Sequence, residues 1–188
     1  QKRYWLESNL NYMRIISGNL KGKKLFFLQA SKTRPLKDMV RESIFNLICH
    51  SKLIDIELNN SEVLDLYSGT GSFGIECLSR NAKKVTFIEN NSEAIGVLKK
   101  NIEFLSLKNK SYIHQGSIEA FLNQQNSKNK YDIFFLDPPF LDNTFIKNLT
   151  AIKQFSNFKK KHLIIIHREK NTRDNLDGIL NKIFVKNY

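Results

Sequence analysis

A mostly parallel, doubly wound α/β sheet is expected for this 188-residue chain, and three observations carry that reading. From residue 63 onward, short apolar runs alternate with stretches of helical pattern, as in strands covered on both faces by crossover helices. The first of these runs leads straight into a glycine-rich turn, Gly69-Thr-Gly-Ser-Phe-Gly74. Two of them close on a carboxylate, Glu89 and Asp137, at the carboxyl edge where open α/β sheets bind ligands.

The N-terminal part is patterned differently. Residues 13–17 and 23–29 are read as two short strands around a turn that holds Gly18 and Gly22. Asp38 precedes an amphipathic helix with Val40, Ile44, Leu47 and Ile48 on one face. Residues 63–67 form a buried strand, continued by the glycine turn and a helix over 73–80. A second strand spans 85–89, and Ser92 is the expected cap of a helix running to about 106. Further strands are expected at 112–115, 133–137 and 163–167, and residues 124–130 form a polar surface connection.

Three segments result: an extra stretch at 1–12, a basic hairpin and helix at 13–52, and the sheet domain at 53–188. The 41% hydrophobic content, with 14 Phe, supplies a core without metals or disulfides. Cys49 and Cys77 have no metal-like spacing, so no metal site and a reducing, cytoplasmic compartment are expected. No apolar run approaches membrane-spanning length, so no membrane partner is expected.

Charge is unevenly placed. The net charge is +12, and between Met13 and Lys37 lie Arg14, Lys21, Lys23, Lys24, Lys32, Arg34 and Lys37 with no acid among them. A lysine-rich surface explains the total, but the clustering points to a polyanion, since each cation set against a phosphate releases condensed counterions.

The run Val63-Leu-Asp-Leu-Tyr-Ser-Gly-Thr-Gly-Ser-Phe-Gly74 contains a G-x-G-x-x-G pattern, which alone is a weak sign of a dinucleotide site. Asp65, inside the strand, would repel a pyrophosphate and suits a ligand presenting an ammonium or ordered water, as the methionine end of S-adenosylmethionine does. Glu89 closes the next strand, where a carboxylate accepts ribose hydroxyls.

The tetrad Asp137-Pro138-Pro139-Phe140 comes directly after an apolar strand. Its two prolines stiffen the backbone and remove two N–H donors, leaving carbonyls to accept hydrogen bonds. An exocyclic amine delocalises its lone pair into its ring and is a poor nucleophile. The Asp137 carboxylate and the Pro138 carbonyl would hold its two protons, and Phe140 would stack on the base.

These motifs resemble those of the RsmD-type family of 16S ribosomal RNA guanine-N2 methyltransferases. Met13-Arg-Ile-Ile-Ser-Gly18 with Gly22-Lys-Lys-Leu25 is similar to that family's opening hairpin. Thr33-Arg-Pro35 with Val40-Arg-Glu-Ser-Ile-Phe-Asn46 is similar to its second signature, and residues 65–76 to its cofactor loop. The resemblance implies a class I S-adenosylmethionine-dependent methyltransferase, Rossmann-like, with a small basic N-terminal hairpin extension. It implies a monomer acting on 16S ribosomal RNA or a small-subunit assembly intermediate. Asp65, Gly69, Gly71, Glu89, Asn90 and Ser117 would hold the cofactor, and residues 137–140 the guanine. Arg14, Lys21, Lys23, Lys24, Arg34 and Arg41 would contact RNA.

The chain departs from the family pattern at Gly116-Ser-Ile118, where Gly-Asp-Ala is common, and at His167-Arg-Glu169, where an acid is expected first. His167 is read as a strand-end packing residue, and Lys159 to Lys161 as a solvated charge run. Rival readings keep the tetrad but change the target to adenine N6 or a protein glutamine. Others make the glycine loop part of a nicotinamide-dependent oxidoreductase, or leave only a non-catalytic RNA-binding module.

Overall fold

The computed structural model describes residues 10–28, 36–124, 129–139, 142–169, 172, 174–181 and 183–186. An antiparallel hairpin comes first, β1 (Leu10–Arg14) against β2 (Lys24–Leu28), and then helix α1 (Asp38–His50). The sheet is built from β3 (Glu62–Leu66), α2 (Ser72–Ser79), β4 (Lys84–Glu89), α3 (Ser92–Phe104), β5 (Ser111–Gln115), α4 (Ile118–Gln124), β6 (Tyr131–Leu136), α5 (Phe145–Phe155) and β7 (Phe158–Ile166). Among the described residues it has five strands, all parallel, in the order β5-β4-β3-β6-β7. The order reverses between β3 and β6, and ligands of such sheets bind at that switch point. No described helix is long and apolar enough to cross a membrane.

Period-two alternation divides the core in two. Val63, Val85, Phe87, Ile133 and Phe135 face one side, with α1, α2 and the hairpin residues Ile15 and Leu25. Leu64, Leu66, Ile88, Phe134 and Leu136 face the other, with Phe121, Phe145, Leu149 and Ile152. Phe73 stacks between Phe45 and Phe135, with ring centroids 5.2 and 3.9 Å away, and so ties α1 to the sheet through α2.

The hairpin is stitched to this body by buried polar groups. Ile16 and Ser17 donate their backbone N–H groups to the Glu76 carboxylate, both at 2.9 Å. Asn101 accepts from the Phe26 N–H and donates to the Phe26 and Thr70 carbonyls. Gly18 lies so close to Ser79 that an added Cβ would sit 2.0 Å from its carbonyl oxygen, which excludes any side chain there.

Several expectations shift for physical reasons. Among the described residues the first strand already runs at Leu10, not from 13, and it ends at Arg14. The Ile15 N–H still donates to the Lys23 carbonyl, but the Ile16 and Ser17 amides turn to Glu76. Asn91, not Ser92, caps α3, accepting from the Ala94 N–H at 2.9 Å. Lys159 to Lys161 belong to β7, where Lys159 pairs with Asp132 and Lys161 with Asp55.

Arg41 requires a correction: its side chain is 0% exposed and cannot meet RNA. Its guanidinium donates to the Arg14 carbonyl at 2.8 Å and to Asp38 at 2.9 Å, and also meets the Met13 sulfur. Burial lowers its pKa against the raising effects of Glu76 and Asp38. Arg41 therefore locks the hairpin to α1. Arg34 and Phe140 lie outside the described residues.

Candidate active site

The carboxyl edges of β3, β4 and β6 meet at the switch point. After β3 the chain turns through Tyr67, Gly69 and Gly71, at φ 65, 54 and 90°. Glycine relieves the strain of this left-handed backbone at two of the three positions. A Cβ at Gly71 would meet Leu98 at 2.4 Å, and one at Gly74 would meet Phe87 at 2.3 Å. The third glycine thus lets α2 press onto β4.

Glu89 is oriented by this loop. Its Oε2 accepts from the Gly69 N–H at 2.7 Å, and its Oε1 from the Asn90 and Asn91 N–H groups at 2.9 and 2.8 Å. Three of its roughly four lone-pair sites are therefore engaged, and a ribose diol would share these oxygens with backbone donors. The Gly116 N–H donates to the Glu89 carbonyl, which sets the β5 turn beside it. Ser117 accepts from the Ala120 N–H at 3.1 Å, so its hydroxyl proton remains to donate.

Gly69, Glu89, Asn90, Gly116, Ser117, Asp137, Pro138 and Pro139 line one open cleft of about 1710 Å³. Lys37, the last cation of the basic run, lines it too. Tyr67, which no sequence motif singles out, is also in the cleft wall. Its hydroxyl lies 3.3 Å from Asp142 Oδ2 and accepts from Asn148 at 3.0 Å. Burial first, then the Asp142 charge, push its pKa up to about 12.

Asp65 sits beneath the loop rather than in the cleft wall. It is 1% exposed, its Oδ2 accepts from the Gly74 N–H at 3.0 Å, and its Oδ1 has no partner among the described groups. Desolvation raises its pKa well above the ordinary carboxyl value, and the charges of Asp137 and Glu89 add to the rise. Three carboxylates thus converge on one edge, and a ligand bearing positive charge complements them. Among the described residues no His, Cys, Asp and Glu side chains group in a way that would hold a metal ion.

Asp65 also sets a pH dependence. Its folded pKa is raised, so its contribution to stability is complete below the unfolded value and is lost as pH rises through the folded one. Asp65→Asn keeps an acceptor for Gly74 and removes the buried charge. The ligand-free variant is expected to melt higher than the parent at neutral pH and to lose this decline. Calorimetric melts between about pH 4 and 8 check it, and an Asn variant that melts lower throughout would contradict it.

At the end of β6, the parallel register places Leu136 beside Ile166. Asp137 and His167 are the next residues of their strands. His167 Nδ1 lies 2.8 Å from Asp137 Oδ1, so His167 is not the packing residue expected. Pro139 O accepts from Arg168 Nη1 at 3.0 Å and from the Asp142 N–H at 2.8 Å. No described residue donates to the Pro138 carbonyl. The structure thus brings together Asp137, Pro138, Glu89, Gly69, Asn90 and Ser117 on one cleft, and leaves Arg14, Lys21, Lys23 and Lys24 exposed on the hairpin.

Known proteins are similar to this chain over most of its length. Residues 13–186 match the family model described as Conserved hypothetical protein 95. The chain is 37% identical to ribosomal RNA small subunit methyltransferase D of Haemophilus influenzae, over 84% of this chain and 79% of that protein. It is 35% identical to the protein of that name in Buchnera aphidicola subsp. Baizongia pistaciae, over 90% and 82%. A Haemophilus influenzae crystal structure, provisionally described as a methylase, superposes with a TM-score of 0.67 at 33% identity, over 87% and 85% of the two chains.

Proposed function

Because this chain belongs to the ribosomal RNA small subunit methyltransferase D family, we propose that it transfers a methyl group from S-adenosylmethionine to the exocyclic N2 amine of a guanine in 16S ribosomal RNA. One observation carries the reading most: Asp137 and Pro138 stand at the switch point on the same cleft as Glu89 and Gly69. The natural substrate is the RNA itself or a small-subunit assembly intermediate in the cytoplasm.

Three converging carboxylates, with Asp65 Oδ1 free of any partner among the described groups, fit a cofactor with a sulfonium and an ammonium. Glu89 and Asn90 would hold its ribose, Gly69 and Gly71 would let it approach the backbone, and Ser117 would meet its adenine. Bound there, it supplies an electrophilic methyl group. Asp137 and the Pro138 carbonyl would accept hydrogen bonds from the two amine N–H groups and turn the nitrogen lone pair toward the donor side. The one proton that the methylated nitrogen sheds would pass to the Asp137 carboxylate and on to solvent. Positive charge that grows on the nitrogen falls next to a carboxylate already in place. The described walls of the cleft would align the reactants, which lowers the barrier without covalent help from the protein.

Incubation with methyl-labelled S-adenosylmethionine and unmethylated 16S ribosomal RNA or 30S particles, and then nucleoside digestion, tests the proposal. Label is expected in N2-methylguanosine. Label in N6-methyladenosine, or in protein glutamine, would replace the target, and no label in any fraction would reject the reaction.

Glu89→Ala is expected to weaken cofactor binding by ~1.5–3 kcal/mol, the worth of one hydrogen bond to a charged acceptor. Titration calorimetry reads this directly, and unchanged affinity would remove Glu89 from the ribose site.

A further inference from the structure

We propose that His167 is a positioning residue for the transfer: its Nδ1–H holds Oδ1 of Asp137, so that Oδ2 is the oxygen presented to the substrate amine. The inference rests on the reaction proposed above. The two side chains meet at 2.8 Å and are 26% and 24% exposed, open enough for water to compete for the carboxylate. A terminal carboxylate has a broad, two-fold torsion, so a single fixed donor determines which oxygen faces the cleft.

An ionised carboxylate only accepts, so Nδ1 must carry the proton. In the neutral imidazole this leaves Nε2 bare. The pair is built by the fold rather than by chain proximity. The His167 N–H donates to the Leu136 carbonyl at 2.8 Å and continues the β6–β7 ladder to the residue that precedes Asp137.

The neighbouring residue reinforces the arrangement. Arg168 donates to Pro139 O, is anchored by Asp174 at 2.9 Å and lies over the Phe145 ring at 4.6 Å. Pro139 O is thereby occupied and the Pro138 carbonyl left for the substrate. Two consecutive side chains at the end of β7 therefore hold both halves of the Asp-Pro-Pro turn. This is what a site needs when a misplacement of about 1 Å costs on the order of 10² in rate.

The test combines kinetics with a direct view of the proton. His167→Ala is expected to lower single-turnover methyl transfer by about 10- to 10²-fold, with KM for RNA and cofactor and the melting temperature little changed. His167→Asn, whose amide N–H falls near the Nδ1 position, is expected to recover most of the rate. His167→Gln, whose amide reaches toward the Nε2 position, is not. Equal rates for Asn and Gln, or a parental rate in the Ala variant, would overturn the inference, and the Asn–Gln contrast stands even if Ala fails to fold.

In parallel, long-range proton–nitrogen correlation spectra of the labelled protein, at about pH 8.5 where imidazoles are neutral, should show His167 as the Nδ1–H tautomer. Asp137→Ala should shift it toward Nε2–H. An Nε2–H tautomer in the parent protein overturns the inference whatever the turnover. A parent protein with the Nδ1–H tautomer but no methyl transfer counts against the proposed reaction and not against the pair.

Discussion

Asp137→Ala is expected to lower kcat for methyl transfer by about 10²–10³, the loss seen when other preorganised electrostatic groups are removed, while cofactor binding stays nearly intact. Asp137 extends a strand whose Phe134 and Leu136 are fully buried, and Pro138 and Pro139 stiffen the turn after it, so its carboxylate is delivered to the cleft. Oδ1 faces His167, and in the proposed reaction Oδ2 would meet the amine. The loss falls on kcat because the carboxylate meets more positive charge in the transition state than in the ground state.

Asn keeps one carbonyl oxygen, which His167 and the amine must share, so Asp137→Asn is expected between the parent and Ala. Cofactor affinity is the useful control. Asp137 is one of the charges that raise the Asp65 pKa, so its removal eases ionisation of Asp65 and should not weaken a cationic ligand. A strand-ending Asp with no catalytic part makes the opposite forecast, lower stability and normal turnover of the folded fraction. Single-turnover rates and melting temperatures on one preparation separate the two, and a folded Asp137→Ala enzyme with full activity rules the mechanism out.

The architecture is legible in the sequence because its signals are local. Apolar runs mark β3, β4, β6 and the last four residues of β7, and an acid at the end of two of them marks the edge that carries the chemistry. The glycine loop is legible for the same reason: Gly71 and Gly74 answer to close approaches that any side chain would block. Polar contacts between distant segments are not legible in this way. Glu76 and Asn101 hold the hairpin across 59 to 75 residues of chain, and periodicity reports which face is apolar, not which buried polar atoms meet.

Arg41, assigned to RNA under the resemblance, misleads because a cation on a helix reads as surface until its burial is seen. His167 misleads because its meaning depends on the register of β6 against β7, which no stretch of either strand contains alone.

Neutralising Arg14, Lys21, Lys23 and Lys24 together is expected to flatten the logarithmic salt dependence of RNA binding by roughly 3 units. That corresponds to a loss of affinity on the order of 10³ near 0.1 M salt that vanishes toward 1 M. All four are exposed and fall within an eleven-residue span of the hairpin, on β1, the turn and the start of β2. Arg41 is not among them, because its charge is already spent inside the protein. The hairpin is a firm platform for such contacts: Glu76 and Asn101 fix its backbone, so little ordering entropy is lost on binding. Lys24 also lies 4.4 Å from the Tyr12 ring, so its replacement removes a cation–π contact as well as a charge.

The decisive comparison keeps net charge constant. Replacing Lys83, Lys108, Lys159 and Lys161 removes the same number of charges, but each of these is already paired with an acid. Their loss should leave the slope near that of the parent. If both quadruple variants flatten the slope equally, attraction comes from the total charge and the hairpin has no special part. If the hairpin variant alone flattens it, with cofactor affinity unchanged, the clustered cations are where the RNA backbone lies.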